Sequence, residues 1–298
     1  MDFSVVGQKI KELRKNVGLS QEELAEGICT QAQISKIERG DVFPYASTLF
    51  LISRKLGVDV NYFFDIGMTP RLDYVLEVGR QLQLARRNMN YQEMEEIVRS
   101  EEENPLFFNN NRNLQILKWH KGIYQYELNK DIKTAEETLR NSIDLTHTTD
   151  KIWTEREIEI LLTLGVMYFE EGMLEKALEV YEEVKSHVET IPYLSDHTIK
   201  TRLYYNIARA LTRLGEIKQS NNYCKSAIEW CIYKDNMYLL GELHYHIGYN
   251  YELEEEYSKA IKNMEKALIV FELQGDDKFI KYIQKKILEI EEAKNQKI

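Results

Sequence analysis

The strongest constraint on this chain is a pattern of large, small and aromatic residues that returns at nearly constant spacing. Its clearest copy is Leu161, Leu164, Gly165 and Tyr168 followed by Ala177 and Tyr181. Trp119, Ile123, Tyr126, Ala135 and Leu139 precede that copy by 42 residues. Tyr204, Ala208, Leu211, Ser220, Cys224 and Ala227 follow it by 43, and His244, Gly248, Tyr251, Ala260, Met264 and Ala267 come 40 later. A weaker copy lies at Val78, Leu82, Ala85, Met94 and Val98. Gaps of three and four place such residues on one face of a helix, and the longer gap inside each copy turns the chain into a second helix. The small residue on each helix lets its neighbour approach, and the aromatics fill the space between units. One such unit cannot bury its apolar face alone, so the copies must stack. Only 4 Pro and 14 Gly interrupt the chain, which suits long helices and short connections.

These gaps resemble the tetratricopeptide pattern, although the spacing exceeds its usual value of about 34 residues, so helices or connections must be longer. Five copies span residues 77–276, and a closing helix over 277–298 is expected to cap the stack. Asp65-Ile66-Gly67-Met68-Thr69-Pro70 interrupts the periodicity. The expected organisation is a first domain at 1–66, a linker at 67–76, and the repeats and cap beyond it.

The first domain reads as a small helical bundle. Val6, Ile10 and Leu13 lie on one helical face, and Gly18 ends that helix. Ser20 with Glu23 forms a capping box that starts a second helix through Leu24, Ala25 and Ile28. Thr30 with Gln33 repeats the device for a third, whose apolar residues are Ile34 and Ile37 and which stops at Gly40. A fourth helix runs through Leu49, Ile52 and Leu56 after Pro44. Two capped helices so close in sequence must cross steeply through a short turn, the helix-turn-helix arrangement. The start of the third helix carries Thr30, Gln31, Ala32, Gln33, Ser35 and Lys36, polar or small residues outside its apolar stripe. Gln bonds bidentately to adenine, Ser to either partner, and Ala touches a thymine methyl. Lys36 and Arg39 reach phosphate or base, and Gln21 at the second helix start can anchor a phosphate. The predicted DNA-binding set is Gln21, Thr30, Gln31, Gln33, Ser35, Lys36 and Arg39.

Leu19-Ser20-Gln21, Leu24, Ile34-Ser35, Ile37-Glu38, Gly40 and Pro44 resemble the helix-turn-helix of phage repressors, most closely the peptide-regulated, PlcR-like branch. Five degenerate tetratricopeptide-like repeats follow the helix-turn-helix in that family, so the resemblance covers nearly the whole chain. It implies an all-α protein: a phage-repressor-like helix-turn-helix bundle followed by a tetratricopeptide-like helical-repeat solenoid. It also implies a quorum-sensing homodimer on a pseudo-palindromic double-stranded DNA operator, controlled by a short signalling peptide. Asn206, in Tyr205-Asn206-Ile207-Ala208, matches the family's main-chain-clamping Asn. Arg86 and Arg87 lie near its basic peptide-binding residues, and His246 falls at a polar contact. Thr163 and Val166 depart from it, standing where the pattern favours another Asn.

Read from the repeat register alone, the inner face of the stack carries Arg202, Tyr205, Asn206 and Arg209, then Tyr245, His246 and Tyr249. Earlier units add His120, Lys121 and Tyr124. Asn pairs with peptide main chain, aromatics hold apolar side chains, and Arg or Lys takes a carboxylate. Together with Arg86 and Arg87, which the resemblance implies, the predicted peptide-binding set is Lys121, Tyr205, Asn206, Arg209, Tyr245, His246 and Tyr249.

The formal net charge is −10. Residues 1–66 carry 8 Lys/Arg against 9 Asp/Glu and the remainder 31 against 40. DNA binding must therefore rest on a local cationic face. Cys29, Cys224 and Cys231 form neither a disulfide framework nor a ligand cluster. His244 and His246 point apart on a helix and cannot share a metal. With no phosphate loop, nucleophile elbow, signal peptide or membrane-length apolar run, the chain is expected to be cytoplasmic, without cofactor, metal or enzymatic activity. The alternative reading is a scaffold whose repeats act on a partner protein such as a response regulator.

Overall fold

In the computed structural model the described residues are 3–149 and 151–296. Met1, Asp2, Lys297 and Ile298, at the outer limits of the expected first domain and capping helix, lie outside them. Helices dominate, and the described residues hold only an isolated bridge, Thr149 to Ile152, in place of strands.

Five helices form the N-terminal bundle: α1 (Phe3–Asn16), α2 (Gln21–Ala25), α3 (Gln31–Arg39), α4 (Ala46–Leu56) and α5 (Val60–Met68). Val6, Ile10, Leu24, Ile34, Ile52 and Phe63 make its core and are fully buried, each contributing roughly 1.5–3 kcal/mol. Both capping boxes are formed, Ser20 with Glu23 and Thr30 with Gln33. α1 crosses α3 so closely that a Cβ at Gly7 would run into the Ile37 carbonyl oxygen.

The sequence reading stops at a fourth helix, but Asp59 caps a fifth by accepting the Asn61 N–H at 2.7 Å, which brings Phe63 into the core. The expected linker is correspondingly shorter. α5 runs to Met68 and α6 (Leu72–Arg87) begins at Leu72, so only Thr69–Arg71 are non-helical within 67–76. The residue before a proline is driven from the helical region, and Thr69 sits at φ −128°, ψ 98°.

In the repeat region α6 pairs with α7 (Tyr91–Glu101); a short α8 (Pro105–Phe108), α9 (Asn111–Asn129) and α10 (Ile132–Asp144) come next in the chain. α11 (Glu155–Glu170) pairs with α12 (Leu174–Thr190), α13 (Thr198–Arg213) with α14 (Ile217–Tyr233), and α15 (Leu240–Leu253) with α16 (Tyr257–Gln274). α17 (Asp277–Gln296) closes the series. The register residues Ala177, Tyr181, Ala208, Cys224, Ala227, Ala260, Met264 and Ala267 are all fully buried. Gly165 is required by packing: the Tyr181 ring occupies the space its Cβ would fill.

The extra length over a standard repeat lies partly in longer helices and partly in the connections at 145–154 and 191–197. The second is held by the Glu155 carboxylate, which accepts from the Ser195 amide, from Ser195 Oγ at 2.6 Å and from the Asp196 N–H at 3.2 Å. The chain forms two compact units, one up to Tyr124 and one from Gln125, with the division inside α9 and not at the expected linker.

Candidate functional site

The DNA-reading surface is built on a buried ion pair. Arg14 of α1 donates to Glu38 of α3 through Nε at 2.5 Å and Nη2 at 3.0 Å, and through Nη1 to the Leu19 carbonyl at 2.7 Å. Burial alone would raise the Glu38 carboxyl, but bonds from Arg14 and Gln21 outweigh it and hold it below the usual carboxylate range. Gln21 Nε2 donates to Glu38 at 2.7 Å, and Gln31 Nε2 donates to Gln21 Oε1 at 2.7 Å. A continuous chain of bonds thus runs from α1 to the first turn of α3 and fixes that helix against α2.

With the stripe of Ile34 and Ile37 buried, Gln31, Ala32, Gln33 and Lys36 face outward. Thr30 caps the helix by accepting the Gln33 N–H at 3.2 Å, and the Gln33 side-chain carbonyl accepts from the Thr30 N–H, leaving its amide nitrogen pointing out. Ser35 Oγ accepts from Arg39 at 3.2 Å, and Arg39 pairs with Asp41 at 2.7 Å. Lys36 carries no ion pair among the described residues. Gln21 and Gln31 thus adjoin each other, as do Thr30 and Gln33, and Ser35 and Arg39, while Lys36 and the Gln33 amide are left as uncommitted donors among the described residues. The Arg14–Glu38 pair was missed, although Glu38 lies four residues after Ile34 and so on the inward stripe. Beside α3, Phe43 and Tyr45 are 66% and 83% exposed.

The predicted peptide-binding residues fall in both units. In the first, Arg86 lies 4.9 Å over the Trp119 ring, Arg87 is exposed at the end of α6, and Lys121 pairs with Glu102. In the second, the cations are also engaged. Arg202 contacts Glu159 at 2.6 Å and Asp196 at 3.3 Å. Arg209 pairs with Glu170 at 3.2 Å and stacks 4.3 Å over Phe169. Asn206 is half-buried with no side-chain hydrogen bond among the described residues. Tyr205 is half-buried, edge-on to His246, and burial raises its hydroxyl above the ordinary value. Tyr245 stacks on Tyr249, and its hydroxyl is 2.9 Å from that of Tyr282 in α17.

His246 adjoins Tyr205 and Tyr249 of the predicted set, but most of it lies inside the fold. It is 7% exposed, with Nε2 2.9 Å from Thr212 Oγ1, inside a polar cluster between α13, α14 and α15. Thr212 also bonds Asn250 at 2.8 Å, and Asn250 donates to Ser220 at 2.8 Å and Asn221 at 2.9 Å. Burial lowers the imidazole to about 4, so it is neutral in this packing. The acids opposite the arginines were missed. Their signal is that Glu159 and Glu170 precede Arg202 and Arg209 by about one repeat.

No three or more His, Cys, Asp or Glu side chains among the described residues are placed to hold a metal ion, and no helix among them is long and apolar enough to cross a membrane.

A helix-turn-helix family model matches residues 10–63, and the model of the RNPP family C-terminal domain matches residues 80–289. The chain belongs to the RNPP family. Comparison with curated protein sequences gave no match. Among solved structures, this RNPP chain is similar to Bacillus thuringiensis PlcR in complex with the peptide PapR7 and DNA: 24% identity, TM-score 0.84, covering 94% of this chain and 99% of that one. It is also similar to ComR from S. thermophilus in complex with DNA and its signalling peptide ComS, at 16% identity and TM-score 0.63 over 96% and 99%. A third likeness is to a transcriptional regulator from Listeria monocytogenes EGD-e described as putative, at 16% identity and TM-score 0.65 over 98% of each chain. At these identities the likeness is one of fold: an all-α helix-turn-helix bundle followed by helical repeats.

Proposed function

We propose that this protein is a cytoplasmic, DNA-binding transcription regulator whose repeats bind a short signalling peptide that controls operator binding by a homodimer. The observation that carries this reading is the first half of α3, whose apolar stripe is buried while the Gln33 amide and Lys36 face outward. Such donors at the start of a recognition helix suit base edges in the major groove. Two copies of α3 in a dimer would enter successive grooves about 34–36 Å apart. Family membership supports the peptide half, as do the solved complexes of PlcR and ComR, each holding DNA and a peptide. A peptide shifts the dimer only through its preference for one conformation.

Replacing Lys36 with Ala removes an exposed donor and no internal contact. Affinity for a fragment of the protein's own upstream region should fall about ten- to hundredfold, measured by gel-shift titration at fixed salt, with the melting temperature unchanged. Equal affinity of the variant and wild type would remove α3 as the reading helix.

A further inference from the structure

The inner helices of the second unit present a strip of paired charges: Arg202 with Glu159, Arg209 with Glu170, and Lys286 with Glu252 at 2.8 Å. Glu242, in the first turn of α15, breaks this pattern. It is half-buried, and its Oε2 is enclosed with no hydrogen-bond partner in the structure. It interacts electrostatically with the Tyr205 hydroxyl of α13 and with Asp276 before α17, the second of which adds like charge, and its own backbone amide is the donor it meets. Burial and Asp276 together raise its carboxyl above the usual range. A carboxylate oxygen shielded from water without a donor is costly, and the one donor this carboxylate meets, its own backbone amide, leaves Oε2 without a partner in the structure. Tyr205, whose hydroxyl feels the Glu242 charge, belongs to the predicted peptide-binding set.

We propose that Glu242 receives an ammonium group of the bound peptide, either a lysine side chain or a free amino terminus. The inference rests on the peptide-binding reading and adds a chemistry to it. The arginines that might have taken a peptide carboxylate are already neutralised by acids of the preceding repeat. The unmatched charge of the strip is negative, so the ligand's matching charge is positive.

The test uses full-length wild type and Glu242→Gln, each selected against two synthetic heptapeptide libraries, one with free and one with acetylated amino termini. Wild type should enrich peptides bearing an ammonium group. If the amino terminus is the donor, acetylation abolishes enrichment; if lysine is, the acetylated library still yields peptides with a lysine at one fixed position. The best wild-type peptide should bind Glu242→Gln at least about tenfold more weakly, as expected for a charge-assisted bond in a shielded site. Replacing its lysine with Gln, or acetylating it, should bring both proteins to the same affinity. The loss of wild-type affinity caused by that change to the peptide is read on wild type alone and does not depend on how the variant folds. Peptides enriched equally by both proteins, with no ammonium requirement, would overturn the assignment of Glu242 and leave peptide binding standing. Enrichment of no peptide by either protein would overturn the peptide reading itself, and this inference with it.

Discussion

The N-terminal bundle and the later repeats use the same polar residue types in opposite ways. In the bundle, one buried pair, Arg14 with Glu38, anchors a chain of glutamines, and beyond it the first turns of α3 carry polar groups that the fold does not need. In the second unit, Arg202 and Arg209 are held by acids of the neighbouring helix, and His246 is enclosed in a polar cluster. Residue type alone therefore does not mark a binding face. A polar side chain is available to a ligand only where the fold has left it without an internal partner.

Substitutions test that contrast. The largest effect should come from Arg14→Ala, which strands Glu38 in a buried site. A loss of about 3–5 kcal/mol is expected, read as a shift of the urea midpoint, and a loss below about 1 kcal/mol would show that the pair is not the bundle's anchor. Gly165→Ala places a Cβ in the Tyr181 ring and should cost about 1–3 kcal/mol. Restoration of stability by a smaller residue at position 181 would tie that loss to this packing.

His246 has a folded pKa depressed from 6.5 to about 4, so its neutral form is favoured by folding. Its contribution is present above pH 6.5, declines as pH falls and is gone below about 4. Wild type should therefore lose about 2 kcal/mol more than His246→Gln between pH 7 and pH 5, measured by denaturant titration at both values. Parallel pH profiles would place the imidazole outside the buried cluster. The smallest effect should be that of Arg209→Ala, whose partly exposed pair with Glu170 is worth less than about 1 kcal/mol. A loss approaching that of Arg14→Ala would erase the distinction between the two regions.

The helical pairs were legible because their signals are local. The capping residues Ser20 and Thr30 and the small–aromatic register at Gly165 and Ala177 act within a few residues or one repeat. α5 was not, because Phe63 and Asp59 form its signal only once the bundle has a core to receive the ring. The α3 surface could be read for the same reason as the pairs: a buried stripe determines which residues remain outside it. The repeat face could not be read so directly. The partners of Arg202, Arg209 and His246 on other helices, Glu159, Glu170 and Thr212, lie 34 to 43 residues away in sequence. Which polar groups are consumed then depends on how adjacent helices meet. Glu242 escaped notice because an unpartnered carboxylate and a solvated one look alike in a string of letters.

The cluster of Thr212, Ser220, Asn221, His246 and Asn250 has a mechanical consequence. An apolar seam between helices can slide, since one methyl contact replaces another at little loss. A seam of mutually bonded polar groups has a single register, and a displacement by one turn would strand several of them at once, at about 1–3 kcal/mol each. The helices from α13 to α15 should therefore move as one rigid block, and any bending of the stack must be taken up at its greasier joints.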